Sequence, residues 1–108
     1  MKFVTIGYGD EAGYERTDAA VLAAAHESDE RQQADGVIMG IAGEPVQVRN
    51  HGATGVQTRR GAYLKSDLPL AGFSLIEADS LTEALELAAL APCAVAYGVV
   101  EVWPLEGS

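Results

Sequence analysis

The sequence has 108 residues, of which 48% are hydrophobic and 21% charged, so we expect a single globular domain over residues 1–108. Its formal net charge of −9 opposes binding to nucleic acid or an anionic membrane, because phosphate contacts need a concentrated positive surface. The apolar run after Met1 is too short for a signal peptide, and no stretch approaches the ~20 apolar residues of a membrane span. We therefore expect a cytoplasmic protein that binds neither nucleic acid nor membrane.

The N-terminal third predicts a strand followed by a helix. Residues 2–8 are rich in β-branched and aromatic side chains and indicate the first strand. Residues 9–16 are expected to form a polar loop. Residues 18–34 are Ala-rich and contain no Gly or Pro, so they predict a helix, with Thr17 or Asp18 as its N-cap.

The middle of the chain predicts a short strand and a hairpin. Residues 37–42 form an apolar run, which indicates the strand. Residues 46–49 and 54–59 flank a turn that contains glycine, as in a β-hairpin. Residues 61–71, with mixed polarity, are expected to form a loop.

Charge is distributed unevenly between this hairpin region and the remainder. Residues 45–66 contain four cationic side chains and no carboxylate. These four are Arg49, Arg59, Arg60 and Lys65. The three other Lys and Arg residues stand against all sixteen carboxylates of the chain, so the remainder has a net charge of −13. Because arginine binds carboxylates in bidentate fashion, we predict that Arg59, Arg60 and the neighbouring Tyr63 bind a small anionic ligand. The alternative is that these cations pair with the protein's own acidic helices or with carboxylates across a dimer.

The C-terminal part predicts a strand, a capped helix and a final strand. Residues 73–78 form the strand, and Ser80 with Glu83 forms a capping box. The helix carries an apolar stripe of Leu81, Ala84, Leu85 and Ala88, and is expected to stop at Pro92. Residues 97–103 form the last strand. This order predicts an α+β fold of the ferredoxin-like split βαβ type, an antiparallel sheet with two helices on one face.

The first strand into Tyr8-Gly9-Asp10-Glu11-Ala12, and the segment from Gly72-Phe73 to Trp103-Pro104-Leu105, resemble the YCII-related proteins, which include the DGPF group. The resemblance implies a homodimer in which two sheets pack into a dimeric α+β barrel, with a cleft between helices and sheet in each subunit. A domain this small cannot cover the second face of its sheet with its own chain, which also favours dimerisation.

The chain departs from the DGPF group at the end of the hairpin. Where that group has Asp-Gly-Pro-Phe, this sequence reads Arg60-Gly61-Ala62-Tyr63. The carboxylate is replaced by a guanidinium, so any role of that Asp cannot be transferred. The reversed charge predicts a different ligand, or none.

A polar patch interrupts the first predicted helix. One face of this helix carries Leu22, Ala25, His26, Asp29 and Gln33. An imidazole beside a carboxylate is the minimum for acid–base chemistry near neutral pH. The resemblance implies that a His on this helix acts with an Asp, for which Asp79 is the counterpart here. We therefore take His26 and Asp79 as candidate catalytic residues; a solvent-facing histidine and an alternative N-cap are the structural interpretations of the same two residues.

Other site chemistry has little support. Cys93, the one cysteine, has apolar neighbours and is interpreted as a small buried hydrophobe. No H-x-x-x-H or C-x-x-C pattern occurs, so we expect no metal, and no cofactor is indicated. His51 is interpreted as a turn residue.

Two functions remain open at this point. In the first, the protein is a binding or regulatory module for a small anionic or polar ligand or for a protein partner. In the second, it is a lyase- or isomerase-like enzyme acting on a small substrate, aromatic substrates included. His26 would then be the general base, and Arg60 or Tyr63 would hold a developing oxyanion.

Overall fold

A computed structural model describes residues 1–107. Its main sheet has four antiparallel strands in the order β2-β5-β1-β6. These strands are β1 (Lys2–Tyr8), β2 (Ile38–Ile41), β5 (Leu70–Glu77) and β6 (Val99–Pro104). The predicted α+β class with an antiparallel sheet is therefore confirmed.

Within the described residues 1–107, four helices accompany the sheet, where two were predicted. They are α1 (Glu11–Arg16), α2 (Ala19–Ala34), α3 (Leu81–Ala88) and α4 (Pro92–Val95). The expected polar loop after β1 is wrong, because α1 forms there with Asp10 as its N-cap, whose carboxylate accepts a 2.9 Å hydrogen bond from the Gly13 N–H. The prediction that the C-terminal helix stops at Pro92 is also wrong. The helix α3 ends at Ala88, and Pro92 begins α4, where the N–H that proline lacks would have no partner inside the helix.

The caps of the two longer helices follow the sequence signals. The Asp18 carboxylate accepts a hydrogen bond from the Ala20 N–H and starts α2. At α3 the Ser80 hydroxyl accepts from the Glu83 N–H at 3.2 Å, while the Glu83 carboxylate accepts from the Asp79 N–H at 3.1 Å. This arrangement satisfies N–H groups that have no partner inside the helix.

The core lies between the sheet and the helices. Phe3 and Ile76, paired in register on β1 and β5, are buried against Ala84 of α3. Leu81 and Leu85 are about half exposed, so the predicted apolar stripe of α3 is not its buried face. The helix is rotated about its axis relative to the prediction. The buried side of α3 carries Ala84 and, packed against the core, Leu87.

The opposite face of the main sheet, called the open face here, is apolar and uncovered within one chain. Alternation along the paired strands places Val4, Ile6, Phe73 and Trp103 on this face. The Trp103 side chain is 56% exposed, and Phe73 is also exposed. At one end of the face, the Tyr8 hydroxyl donates a 2.7 Å hydrogen bond to the Glu101 carboxylate.

The predicted hairpin forms a separate two-stranded sheet. Its strands are β3 (Val46–Arg49) and β4 (Gln57–Arg60), joined by a segment with a single 3-10 turn at His51–Ala53. Residues 45–66 are called the arm from here on. The molecule measures 52 × 34 × 22 Å along its principal axes. Among residues 1–107, no helix is long and apolar enough to cross a membrane.

Candidate functional site

A cavity of about 390 Å³ lies between the main sheet and the helices. Its floor comes from neighbouring strands at positions with small side chains: Thr5 faces Ser74, and Gly7 faces Gly72. The hydroxyls of Thr5 and Ser74 are hydrogen-bonded to each other. Larger residues at these positions would fill the space that the helices span, so the cavity follows from the sequence of β1 and β5.

The α2 wall of the cavity is polar. His26, Asp29 and Gln33 all line it, together with Gln32. Their spacing along α2 places them on the side that faces the sheet, where an apolar stripe would otherwise complete the core. The polar patch predicted on this helix therefore faces the cavity.

The charge of His26 acts on the Asp29 carboxyl. Partial burial raises the pKa of the Asp29 carboxyl, because desolvation disfavours its charged form, and the charge of His26 opposes this rise. The pair is thus able to donate and accept protons at the cavity wall.

Tyr14 and Cys93 form a second polar contact in the lining. The Tyr14 hydroxyl and the Cys93 thiol lie 3.5 Å apart. Burial, with a smaller contribution from Cys93, raises the pKa of Tyr14 to about 12. Tyr14 therefore keeps its proton at neutral pH and presents a neutral hydroxyl.

Cys93 is buried, as predicted for a small hydrophobe, and it packs close to the strand below it. A Cβ at Gly7 would lie only 3.1 Å from the Cys93 sulfur, so glycine at this position gives the thiol its space. Sequence reasoning did not place Cys93 or Tyr14 at the site. Gly7 and Gly72, opposite each other on adjacent strands, were a signal that could have indicated a cavity at this place.

The remaining lining is mainly apolar. It includes Met39, Ile41, Ile76, Leu87, Pro92 and Val100. None of the described residues that line the cavity is Lys or Arg. The described lining therefore carries no permanently positive side chain.

The structure brings His26 to the cavity but not Asp79. Asp79 is exposed at the start of α3, where its N–H donates to the Glu83 carboxylate, and it does not belong to the lining. The carboxylate that lies beside His26 is Asp29, three residues further along α2. The i, i+3 spacing on one helix face was the signal for this pair.

The predicted ligand-binding residues Arg59, Arg60 and Tyr63 lie on the arm, outside the cavity lining. All three are exposed. Arg60 approaches Glu44 at 3.8 Å, and the ring of Tyr63 lies 5.9 Å from the guanidinium of Arg49.

Within residues 1–107, no group of three or more His, Cys, Asp or Glu side chains is arranged to hold a metal ion. The side chains already named can supply hydrogen bonds, apolar contact and proton transfer.

Comparison with known proteins gives a family but no characterised relative. No curated protein matches this chain. The family model described as the YCII-related domain matches residues 1–106, which is nearly the whole length. The match agrees with the resemblance of the opening and closing segments. This chain therefore belongs to the YCII-related family.

Proposed function

We propose that this protein is a homodimeric binding or regulatory module whose cavity takes a small, mainly apolar molecule that carries a few hydrogen-bonding groups. The cavity of about 390 Å³ under α2 is the observation that carries this proposal. Small-molecule sites usually measure about 300–1,000 Å³ and combine apolar walls with a few placed polar groups. This cavity has both properties and lies at the small end of that range.

The polar groups favour an uncharged ligand over an anion. Asp29 brings negative charge to the α2 wall, and His26 is the one residue of the lining that can become positive. The neutral hydroxyl of Tyr14 and the amides of Gln32 and Gln33 offer hydrogen bonds without charge. An anion would lose its hydration and meet a carboxylate, which costs binding free energy.

A matched pair of probes tests this charge preference. Benzamide and benzoate have nearly the same shape and differ in charge. Titration of each into the isotope-labelled protein, followed by amide chemical shifts, should show benzamide shifting residues around the cavity at lower concentration. Benzoate binding more tightly, or neither probe shifting the lining, would contradict the proposal.

A pair of variants on α2 localises the binding. Gln33 and Glu30 are both exposed on this helix, but only Gln33 lines the cavity. Gln33→Trp should obstruct the cavity and abolish the benzamide shifts. Glu30→Trp, which adds the same bulk outside it, should leave them unchanged. Equal effects of the two variants would place the binding elsewhere.

Dimerisation through the open face is supported by its composition. Exposed apolar side chains there include Ile38, Phe73, Val99 and Trp103. Contiguous exposed apolar surface marks interaction sites, and a second copy would cover it with the same residues. The order β2-β5-β1-β6, with helices on one face, supports a ferredoxin-like arrangement that pairs its sheets in a dimeric α+β barrel.

A proton-transfer enzyme of the lyase or isomerase type is the second candidate. The pairing of His26 and Asp29 at the cavity wall favours it, with the Tyr14 hydroxyl in the same lining as a donor to a developing oxyanion. Acetophenone incubated with the protein in heavy water should then exchange its methyl hydrogens for deuterium, and His26→Asn should stop this exchange. Equal exchange with and without protein would leave only the binding function.

A further inference from the structure

The arm differs from the rest of the molecule in charge and in contacts. It carries four cations and no carboxylate, while the remainder of the chain, called the body here, has a net charge of −13. We propose that the arm is an intersubunit element that docks, through its uncovered valine face and the Arg60 side chain on that face, onto the acidic body of a second copy of this chain. This inference rests on the proposed homodimer and adds a second contact to it.

One face of the hairpin is partly covered by the arm itself. The Gln47 side chain donates to the Gly61 carbonyl at 3.0 Å and accepts from Arg49 at 2.8 Å. The ring of Tyr63 lies close to the Arg49 guanidinium. Gln47 and Arg49 are accordingly half-buried, so the arm's own chain covers part of this face, while Gln57 and Arg59 on the same face stay exposed.

The other face is apolar and uncovered. Register places Val46 opposite Arg60 and Val48 opposite Thr58, so these four side chains share it. Val46 is 57% and Val48 66% exposed. A two-stranded hairpin alone is only marginally stable in water, so a surface that covers these valines would stabilise it.

Charge identifies the occupant of this face. The arm's charge is scarcely neutralised by its own chain: the Arg60–Glu44 pair spans 3.8 Å, and its side chains are 83% and 66% exposed. Exposed pairs of this kind contribute little to stability. A second copy presents a body of the opposite charge, and in a two-fold dimer each chain both gives and receives an arm.

Lys65 makes the contact directly testable, because it is the only lysine of the arm. Dimers assembled from a mixture of ¹⁴N- and ¹⁵N-labelled chains are treated with a carbodiimide, which joins amines to carboxylates in contact. Peptides that link Lys65 to a body carboxylate should contain both isotopes. If every peptide linked through Lys65 contains a single isotope, the links lie within one chain and the proposal is wrong.

A charge reversal with a matched control measures the effect. Arg60→Glu on the arm and Arg31→Glu on the body change the net charge equally, and both residues are exposed. At low salt, Arg60→Glu should raise the dimer dissociation constant about tenfold or more, and Arg31→Glu should change it far less. Added salt should raise the dissociation constant of the wild-type dimer. It should also bring the dissociation constants of Arg60→Glu and wild type closer together.

The outcomes separate this inference from the proposed function. An Arg60→Glu dimer as tight as wild type would overturn the arm contact and leave a dimer formed through the open face. A monomeric wild type at tens of micromolar would overturn both dimer contacts. Benzamide binding in the cavity tests the binding function separately from either result.

Discussion

His26 and Asp29 lie three residues apart on α2, both line the cavity, and the positive charge of His26 lowers an Asp29 pKa that burial has raised. Desolvation is the larger of the two effects, so the carboxyl binds its proton more tightly in the folded chain than its ordinary pKa of 3.8 would give. This places a carboxylate of reduced acidity beside the one imidazole of the site.

Removing the imidazole should raise the pKa of Asp29 further. His26→Ala eliminates the opposing charge and leaves the burial in place. His51→Ala, on the arm and outside the lining, is the matched control and should leave the Asp29 pKa unchanged. The carboxyl carbon resonance of Asp29, followed against pH, measures both. Equal titration in the two variants would contradict the coupling.

His26→Ala should leave the fold nearly intact, because His26 is exposed and Ala has higher helix propensity. We expect the free energy of unfolding to change by no more than about 0.5 kcal/mol. Thermal melts of the variant and wild type should overlay. A fall of ten degrees, on the order of 2 kcal/mol, would instead mark the side chain as packed.

Asp29 should make the protein less stable as pH rises from acid. A carboxyl with a raised folded pKa contributes stability that is fully present below the unfolded value of 3.8 and is lost as pH rises through the folded value. Asp29→Asn cannot ionise and should therefore lack this loss. Denaturant unfolding at a series of pH values above 3.8 measures the difference between the two proteins, and parallel curves would exclude the effect.

Tyr14 should titrate well above an ordinary tyrosine. Its pKa of about 12 arises first from burial and then from Cys93, so its stabilising contribution is complete below pH 10 and is lost as pH rises towards 12. Alkaline titration of tyrosinate absorbance in wild type and Tyr14→Phe isolates this group by difference. Cys93→Ala should lower the value only in part, since burial remains. If the absorbance difference between wild type and Tyr14→Phe titrates near pH 10, the raised pKa of Tyr14 is contradicted.

The single tryptophan should report dimerisation. Trp103 is 56% exposed on the open face of one chain, so a second copy that covers this face would exclude water from the ring. Dilution from tens of micromolar should shift its emission to the red as light scattering falls to the monomer mass. Trp103→Lys should be monomeric throughout. A concentration-independent spectrum together with a constant monomer mass would exclude this interface.

Gly98 should tolerate no side chain. A Cβ there would lie 2.1 Å from the Tyr8 carbonyl oxygen and 2.7 Å from that of Cys93, and both are backbone atoms. Gly98→Ala should therefore destabilise the protein by about 3 kcal/mol or prevent folding. Gly43→Ala meets no atom within 4 Å and serves as the control. Comparable melting of the two variants would contradict this packing.

Local signals in the sequence determined the main elements. The capping residues Asp18 and Ser80 begin α2 and α3 as predicted, and the β-branched runs form the strands. The concentration of positive charge on residues 45–66 and the polar face of α2 also follow from sequence alone. Caps, turns and strand preference act over a few residues, so their outcome can be predicted without the rest of the fold.

Tertiary structure decided which of these residues meet. That Asp29 lies beside His26 follows from their i, i+3 spacing on α2, but the placing of both at the cavity, with Asp79 outside it, depends on where α2 crosses the sheet. The same holds for α3, whose rotation buries Ala84 and leaves Leu85 exposed. Helix periodicity defines a stripe, but packing against the sheet selects the angle at which that stripe is buried.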